Sequence, residues 1–174
     1  MKKDIKDEAY RLLHPKPALL ITSISRDGKT NVMSCAWATP VSEEPMLVLI
    51  CLGKGGYTSE LIEQTEEFVI NIPTKKLMKA INVCGTKSGR EFDKAKLAGL
   101  TYKPAKKVKP AIIEECVGHI ECKLNRKIDG GECNIFIGEI VAAYADEKIF
   151  KEVWRTDADI PLHLGGSHFV FFKK

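Results

Sequence analysis

The chain has 174 residues, 44% of them hydrophobic and 29% charged, with a formal net charge of +4. That length suits one domain around one core, no apolar run approaches the roughly 20 residues of a membrane helix, and the mild, interrupted basic excess argues against nucleic acid as a partner. The start, Met1 to Glu8, lacks the apolar centre of a signal peptide, so the expected compartment is the cytoplasm.

In chain order, Ile5, Ala9, Leu12 and Leu13 fall on one face of a short N-terminal helix that Pro15 and Pro17 end. Ala18 to Ser25 reads as a strand, Arg26-Asp27-Gly28-Lys29 as a hairpin turn, and Thr30 to Trp37 as the returning strand. Pro40 to Pro45 reads as loop and Met46 to Leu52 as a buried strand. Thr58 or Ser59 is expected to cap a helix reaching about Gln64. Glu67 to Ile72 is a further strand, and Thr74 is expected to cap a helix with Leu77, Met78, Ile81 and Cys84 on its apolar face.

Cys84 to Lys94 breaks the pattern as a loop of glycines, hydroxyls and cations. Val117 to Ile128 alternates, with Ile120, Cys122 and Leu124 on one side and His119, Glu121, Lys123 and Asn125 on the other. After the Asp129-Gly130-Gly131 turn, Glu132 to Ala145 is apolar on both faces and is expected to be buried on both. Ile149, Phe150, Val153 and Trp154 suggest a late amphipathic helix, and the Pro161 to Phe169 tail ends in a short strand. Many strands, tight turns and few short helices favour a mainly β chain, a closed antiparallel Greek-key-like barrel with helical additions.

The chemistry concentrates in two places. Cys51-Leu52-Gly53-Lys54-Gly55-Gly56-Tyr57-Thr58 is a glycine-rich loop opening onto a helix. Glycines admit close backbone approach, and free N–H groups at a helix start favour an anion. The spacing is not that of a Walker loop. Lys54 would neutralise a phosphate and Thr58 would donate its hydroxyl. Beside this loop, Asn31 to Trp37 offers a nearly uncharged strand, and small Ser34, Cys35 and Ala36 would let a ligand meet its backbone. A phosphate site beside an apolar wall suits a flat, phosphorylated, aromatic cofactor. Neither the six cysteines nor His14, His119, His163 and His168 have zinc-finger spacing. No metal is expected, and the cysteines are expected as free thiols.

These segments also resemble a known family. Asn31-Val-Met-Ser-Cys-Ala-Trp37, the Gly53 to Thr58 loop, Glu67 to Pro73, Lys87-Ser-Gly-Arg-Glu-Phe-Asp-Lys94, Gly130 to Glu139 and Pro161 to Gly166 are similar, in order and spacing, to flavoredoxin-type flavin reductases of the split-barrel fold. The resemblance implies one flavin reductase-like FMN-binding domain over residues 1–174, and a homodimer with FMN near its interface. It further implies electrons taken from NADH, NADPH or a redox partner protein and passed to an acceptor. The implied FMN contacts are Asn31, Met33, Ser34, Cys35, Ala36, Trp37, Cys51, Gly53, Lys54, Gly55, Tyr57, Thr58, Lys87, Ser88, Gly89 and His163, with Gly165-Gly166 capping the site from the tail. No catalytic acid or base is implied. Many relatives carry Gly-Asp-His where this chain has Gly131-Glu132-Cys133, which touches nicotinamide use and not the FMN segments. A non-catalytic FMN-binding or storage protein, and a pyridoxamine-phosphate-oxidase-like oxidoreductase, are the alternatives.

Overall fold

The computed structural model describes residues 1–171. Its main sheet has seven antiparallel strands in the order β3-β2-β6-β9-β10-β5-β4. These are β2 (Leu19–Ile24), β3 (Thr30–Cys35), β4 (Ala38–Ser42), β5 (Leu47–Gly53), β6 (Glu67–Ile72), β9 (Gly118–Asp129) and β10 (Cys133–Ala145). The hairpin expected at Arg26 to Lys29 joins β2 to β3, with Gly28 at φ +86°. β6 has the bounds expected of it.

The sheet curls around one core, in which Leu19, Ile21, Ile50, Leu52, Phe68, Ile70 and Phe136 meet. Among the described residues the ladder ends at β3 and β4 rather than closing on itself. The structure thus supports a mainly β chain with short helices, without the full closure of a barrel. A second core lies outside β2 and β3. There Leu20 and Val32 pack against Ala80, Ile81 and Cys84 of α2 (Met78–Thr86) and Ala95 of α3 (Lys94–Ala98). Cover on both faces explains why β2 is buried without alternation.

Helix α1 (Tyr57–Thr65) follows β5 and buries Leu61 and Ile62. Two-stranded β7 (Tyr102–Lys103) and β8 (Ile112–Ile113) bracket a loop. Finally, β1 (Lys16–Pro17), β11 (Leu162–Gly165) and β12 (His168–Val170) make a three-stranded sheet that brings the tail beside the N-terminal segment.

Several expectations are corrected. The N-terminal helix is a 3-10 helix, Lys6–Leu13, with no buried residue, so its apolar face meets no core of this chain. Pro40 lies within β4, at a sheet edge where its missing N–H costs no ladder bond. β5 alternates between buried and half-buried residues instead of being buried throughout. Gly56, not Thr58 or Ser59, is the N-cap of α1, and Thr74 makes no side-chain cap.

His119 and Glu121, on the polar side of the alternating β9, are buried. The loop after β7 folds over them, and the Lys106 and Lys107 N–H groups donate to the Glu121 carboxylate at 2.8 and 2.6 Å. β10 turns Phe136, Gly138 and Ile140 to the core, but on its opposite face Ile135 is only half-buried and Glu139 is exposed within this chain. Residues 149–154 form no helix; the apolar spacing instead clamps Phe150 against Trp154 across a tight loop, with ring centroids 4.8 Å apart.

Candidate cofactor cleft

β3, α1, α2 and the tail hairpin enclose two adjoining chambers that share Gly85 and Thr86. The first, about 590 Å3, is mainly apolar: Ala18, Ser34, Cys35, Ala36, Met78 and Ile81 line it, and Phe169 closes one side. The second, about 400 Å3, is polar and cationic: Gly53, Lys54, Tyr57, Thr58, Lys87 and Lys94 line it. An apolar slot continuous with a basic pocket fits a planar ligand carrying a phosphate tail.

Lys94 is the notable group of the polar chamber. It is 6% exposed, and its ammonium has no ion-pair partner among the described residues. Desolvation lowers its pKa, with the nearby Cys84 thiol acting in the opposite sense. A desolvated ammonium without an ion-pair partner is costly, and a bound anion relieves that cost. Lys54, by contrast, is exposed and bonds Asp129 through both carboxylate oxygens, at 2.9 and 2.7 Å. Lys87 lies exposed over the Phe92 ring, 5.2 Å from its centroid.

Helix α1 points its start into the same chamber. No side chain caps it, and the first-turn residues Tyr57, Thr58 and Ser59 all line the wall. Their N–H groups and the helix dipole favour an anion. Asn31 Nδ2 donates to Thr58 Oγ1 at 2.8 Å, which leaves the Thr58 hydroxyl proton for another acceptor. Asn31 Oδ1 is buried without a partner. Gly89 closes over it so tightly that a Cβ there would meet this oxygen at 2.0 Å.

In the apolar chamber, Ser34 Oγ donates to the Ile81 carbonyl, so its proton is already used. The Cys35 thiol bonds the Trp37 carbonyl at 3.5 Å, and burial pushes its pKa up to about 11. It is a neutral wall group at physiological pH. His163 enters from β11; its Nε2 carries a proton to the Gly166 carbonyl at 2.9 Å. Its Nδ1 is buried and unpartnered, and its ring stands edge-on to His14 at 5.3 Å.

Of the residues picked out in the sequence, the cleft walls gather Met33, Ser34, Cys35, Ala36, Gly53, Lys54, Tyr57, Thr58, Lys87, Ser88, Gly89 and His163, and Gly166 with them. Asn31 stands behind Thr58. Trp37, Cys51 and Gly55 do not line it; Trp37 is exposed against Tyr10, with Lys16 above its ring. Sequence reasoning missed Asn82, Gly85, Thr86, Phe169 and Lys94 as wall residues. Asn82 lies off the expected apolar face of its helix, and Cys84, Gly85 and Thr86 continue that helix instead of opening the loop expected from Cys84.

Comparison with known proteins places the chain. Residues 10–170 match the model of the flavin reductase like domain. An uncharacterised protein of Archaeoglobus fulgidus is 36% identical over 74% of this chain and 72% of its own length. A protein of Moorella thermoacetica named high molecular weight rubredoxin is 31% identical over 72% of this chain and 54% of its own length. Among solved structures, the flavoredoxin of Desulfovibrio vulgaris (Miyazaki F) superposes with a TM-score of 0.87 at 28% identity, covering 100% of this chain and 97% of that one.

Proposed function

The chain belongs to the flavin reductase-like domain family, and we propose that it is a single FMN-binding domain acting as an NAD(P)H-dependent flavin reductase or a flavoredoxin-type electron-transfer protein. The observation that carries this reading is the buried, unpaired Lys94 beside the uncapped start of α1, at the polar end of an otherwise apolar cleft. That donor set fits a phosphate, and the adjoining chamber fits an isoalloxazine ring. The flavoredoxin likeness supports the same ligand.

When bound, FMN supplies the two-electron chemistry. The chain's residues bind and orient it. Lys94 balances phosphate charge, and the Thr58 hydroxyl and the first-turn N–H groups of α1 donate to phosphate oxygens. Asn31 fixes Thr58 by the 2.8 Å bond. The small residues Ser34 to Ala36 give the ring access to backbone, and Phe169 and His163 exclude water from the far side. No acid–base pair is required of the protein.

The half-buried far end of β10, at Val141, Ala142 and Tyr144, supports a homodimer, since a second copy is the simplest cover for it. Light scattering at micromolar concentration is expected to give twice the monomer mass; a monomer would contradict this. The rubredoxin-named relative supports a redox protein as partner. Six cysteines without a disulfide among the described residues suit the cytoplasm.

The test is to load purified protein with FMN and add NADH or NADPH anaerobically. Bleaching of the flavin band, with turnover on admitting an acceptor, supports the reductase. Bound flavin that neither nicotinamide nor a reduced redox protein bleaches would favour the storage reading. Failure to take up FMN would end the proposal.

A further inference from the structure

Of the six cysteines, Cys35, Cys84, Cys116 and Cys122 are buried, and only Cys51 and Cys133 reach solvent. These two sit on adjacent antiparallel strands. Cys51 of β5 stands opposite Ile135, and Cys133 of β10 stands opposite Gly53. The pair is therefore diagonal on one sheet face, the face turned away from Ile50, Leu52 and Phe136 in the core. Gly53, opposite Cys133, presents no side chain between them. The Cys133 thiol is near enough to act on Cys51 electrostatically. Burial and this neighbour raise the Cys51 pKa, while the Lys16 ammonium acts to lower it and so favours the thiolate when it forms.

We propose that Cys51 and Cys133 form a redox-active dithiol that a low-molecular-weight disulfide oxidises to an intramolecular, cross-strand disulfide. The thiolate of Cys133, at the open end of β10, attacks one sulfur of the small disulfide. One small thiolate leaves, and a mixed disulfide remains on Cys133. Cys51 then gives up its proton and attacks the Cys133 sulfur, expelling the second small thiol. Two protein thiols lose two protons and two electrons; the small disulfide gains them and becomes two thiols. Diagonal positions stand somewhat farther apart than a relaxed disulfide prefers, so closure needs a small shift of the strand ends. Glycine supplies that freedom on both sides, at Gly53 ending β5 with Gly55 and Gly56 after it, and at Gly130 and Gly131 before β10. The step involves no flavin and is independent of the proposed cofactor.

The experiment incubates the full chain, flavin-free and FMN-loaded, with oxidised glutathione, quenches in acid and alkylates. Intact mass and a peptide map are then read. The wild type is expected to lose two hydrogens, with Cys51 and Cys133 linked and dithiothreitol restoring the mass. Cys51→Ser is expected to hold one glutathione on Cys133 persistently, and Cys133→Ser to form no internal disulfide. A stable glutathione adduct on Cys133 of the wild type, no reaction at all, or a link to a buried cysteine would overturn the proposal. The wild-type map decides the matter even if a variant misfolds, and circular dichroism checks the variants. FMN uptake, measured separately, keeps its failure distinct from failure of the flavin reading.

Discussion

Replacing Lys94 by methionine separates phosphate binding from fold. The substitution keeps a long apolar stem and removes the ammonium of a residue that is 6% exposed and has no ion-pair partner among the described residues. A charge-assisted hydrogen bond is worth about 1.5–3 kcal/mol, so FMN affinity should fall roughly 10- to 150-fold. Riboflavin has the same ring and no phosphate, and its affinity should change little. The flavin-free protein should become as stable or more stable, because a desolvated charge has gone.

The sign with pH follows from linkage. Burial lowers the folded-state pKa of Lys94 below the ordinary 10.5. Between the two values the unfolded chain binds more protons, so wild-type stability rises with pH across that window. The advantage of Lys94→Met should therefore shrink as pH climbs toward 10.5. Flavin fluorescence titrations and urea unfolding measure both. Lys54→Ala, which removes an exposed partner of Asp129, should cost FMN less than Lys94→Met and stability less than about 1 kcal/mol. Equal loss of FMN and riboflavin on Lys94→Met would refute the anchor.

Two further outcomes concern the fold. A Cβ at Gly138 would meet Phe68 Cζ at 2.5 Å and Cys122 Cβ at 2.9 Å, both in the closed core, so Gly138→Ala should destabilise by about 1–3 kcal/mol in urea unfolding; an unchanged midpoint would contradict the packing. Burial lowers the His119 pKa from 6.5 to about 4, against the opposing field of Glu121, so the folded protein binds this proton less readily than the unfolded chain. Stability should fall as pH drops from 6.5 toward 4, and His119→Asn should flatten that slope, as thermal melts across the range would record.

Local signals carried much of this architecture. Asp27-Gly28 specified its hairpin because the turn requires a positive φ that glycine adopts freely. Glu67–Ile72 was legible as a strand from its apolar run, and the glycine loop before Tyr57 marked the helix start. What stayed hidden depends on distant segments meeting. Lys94 reads as one more loop cation; it is buried because α2, α3 and Tyr102 close around it. Lys54 reads as the phosphate partner from its glycine neighbours, yet Asp129 comes to its ammonium from another turn. His119 and Glu121 read as the polar side of an alternating strand, and only the fold shows the loop of residues 104–111 covering them. Trp37 has the look of a core residue, but β3 ends at Cys35 and leaves its ring on the surface.

The most direct measurement is a crystal structure of the protein with FMN. The account places the phosphate against Lys94 and the first turn of α1, with the Thr58 hydroxyl donating to it. The ring should lie in the chamber between Ala36, Ile81 and Phe169. A flavin bound elsewhere, or a phosphate held by Lys54 with Lys94 still unpaired, would contradict it.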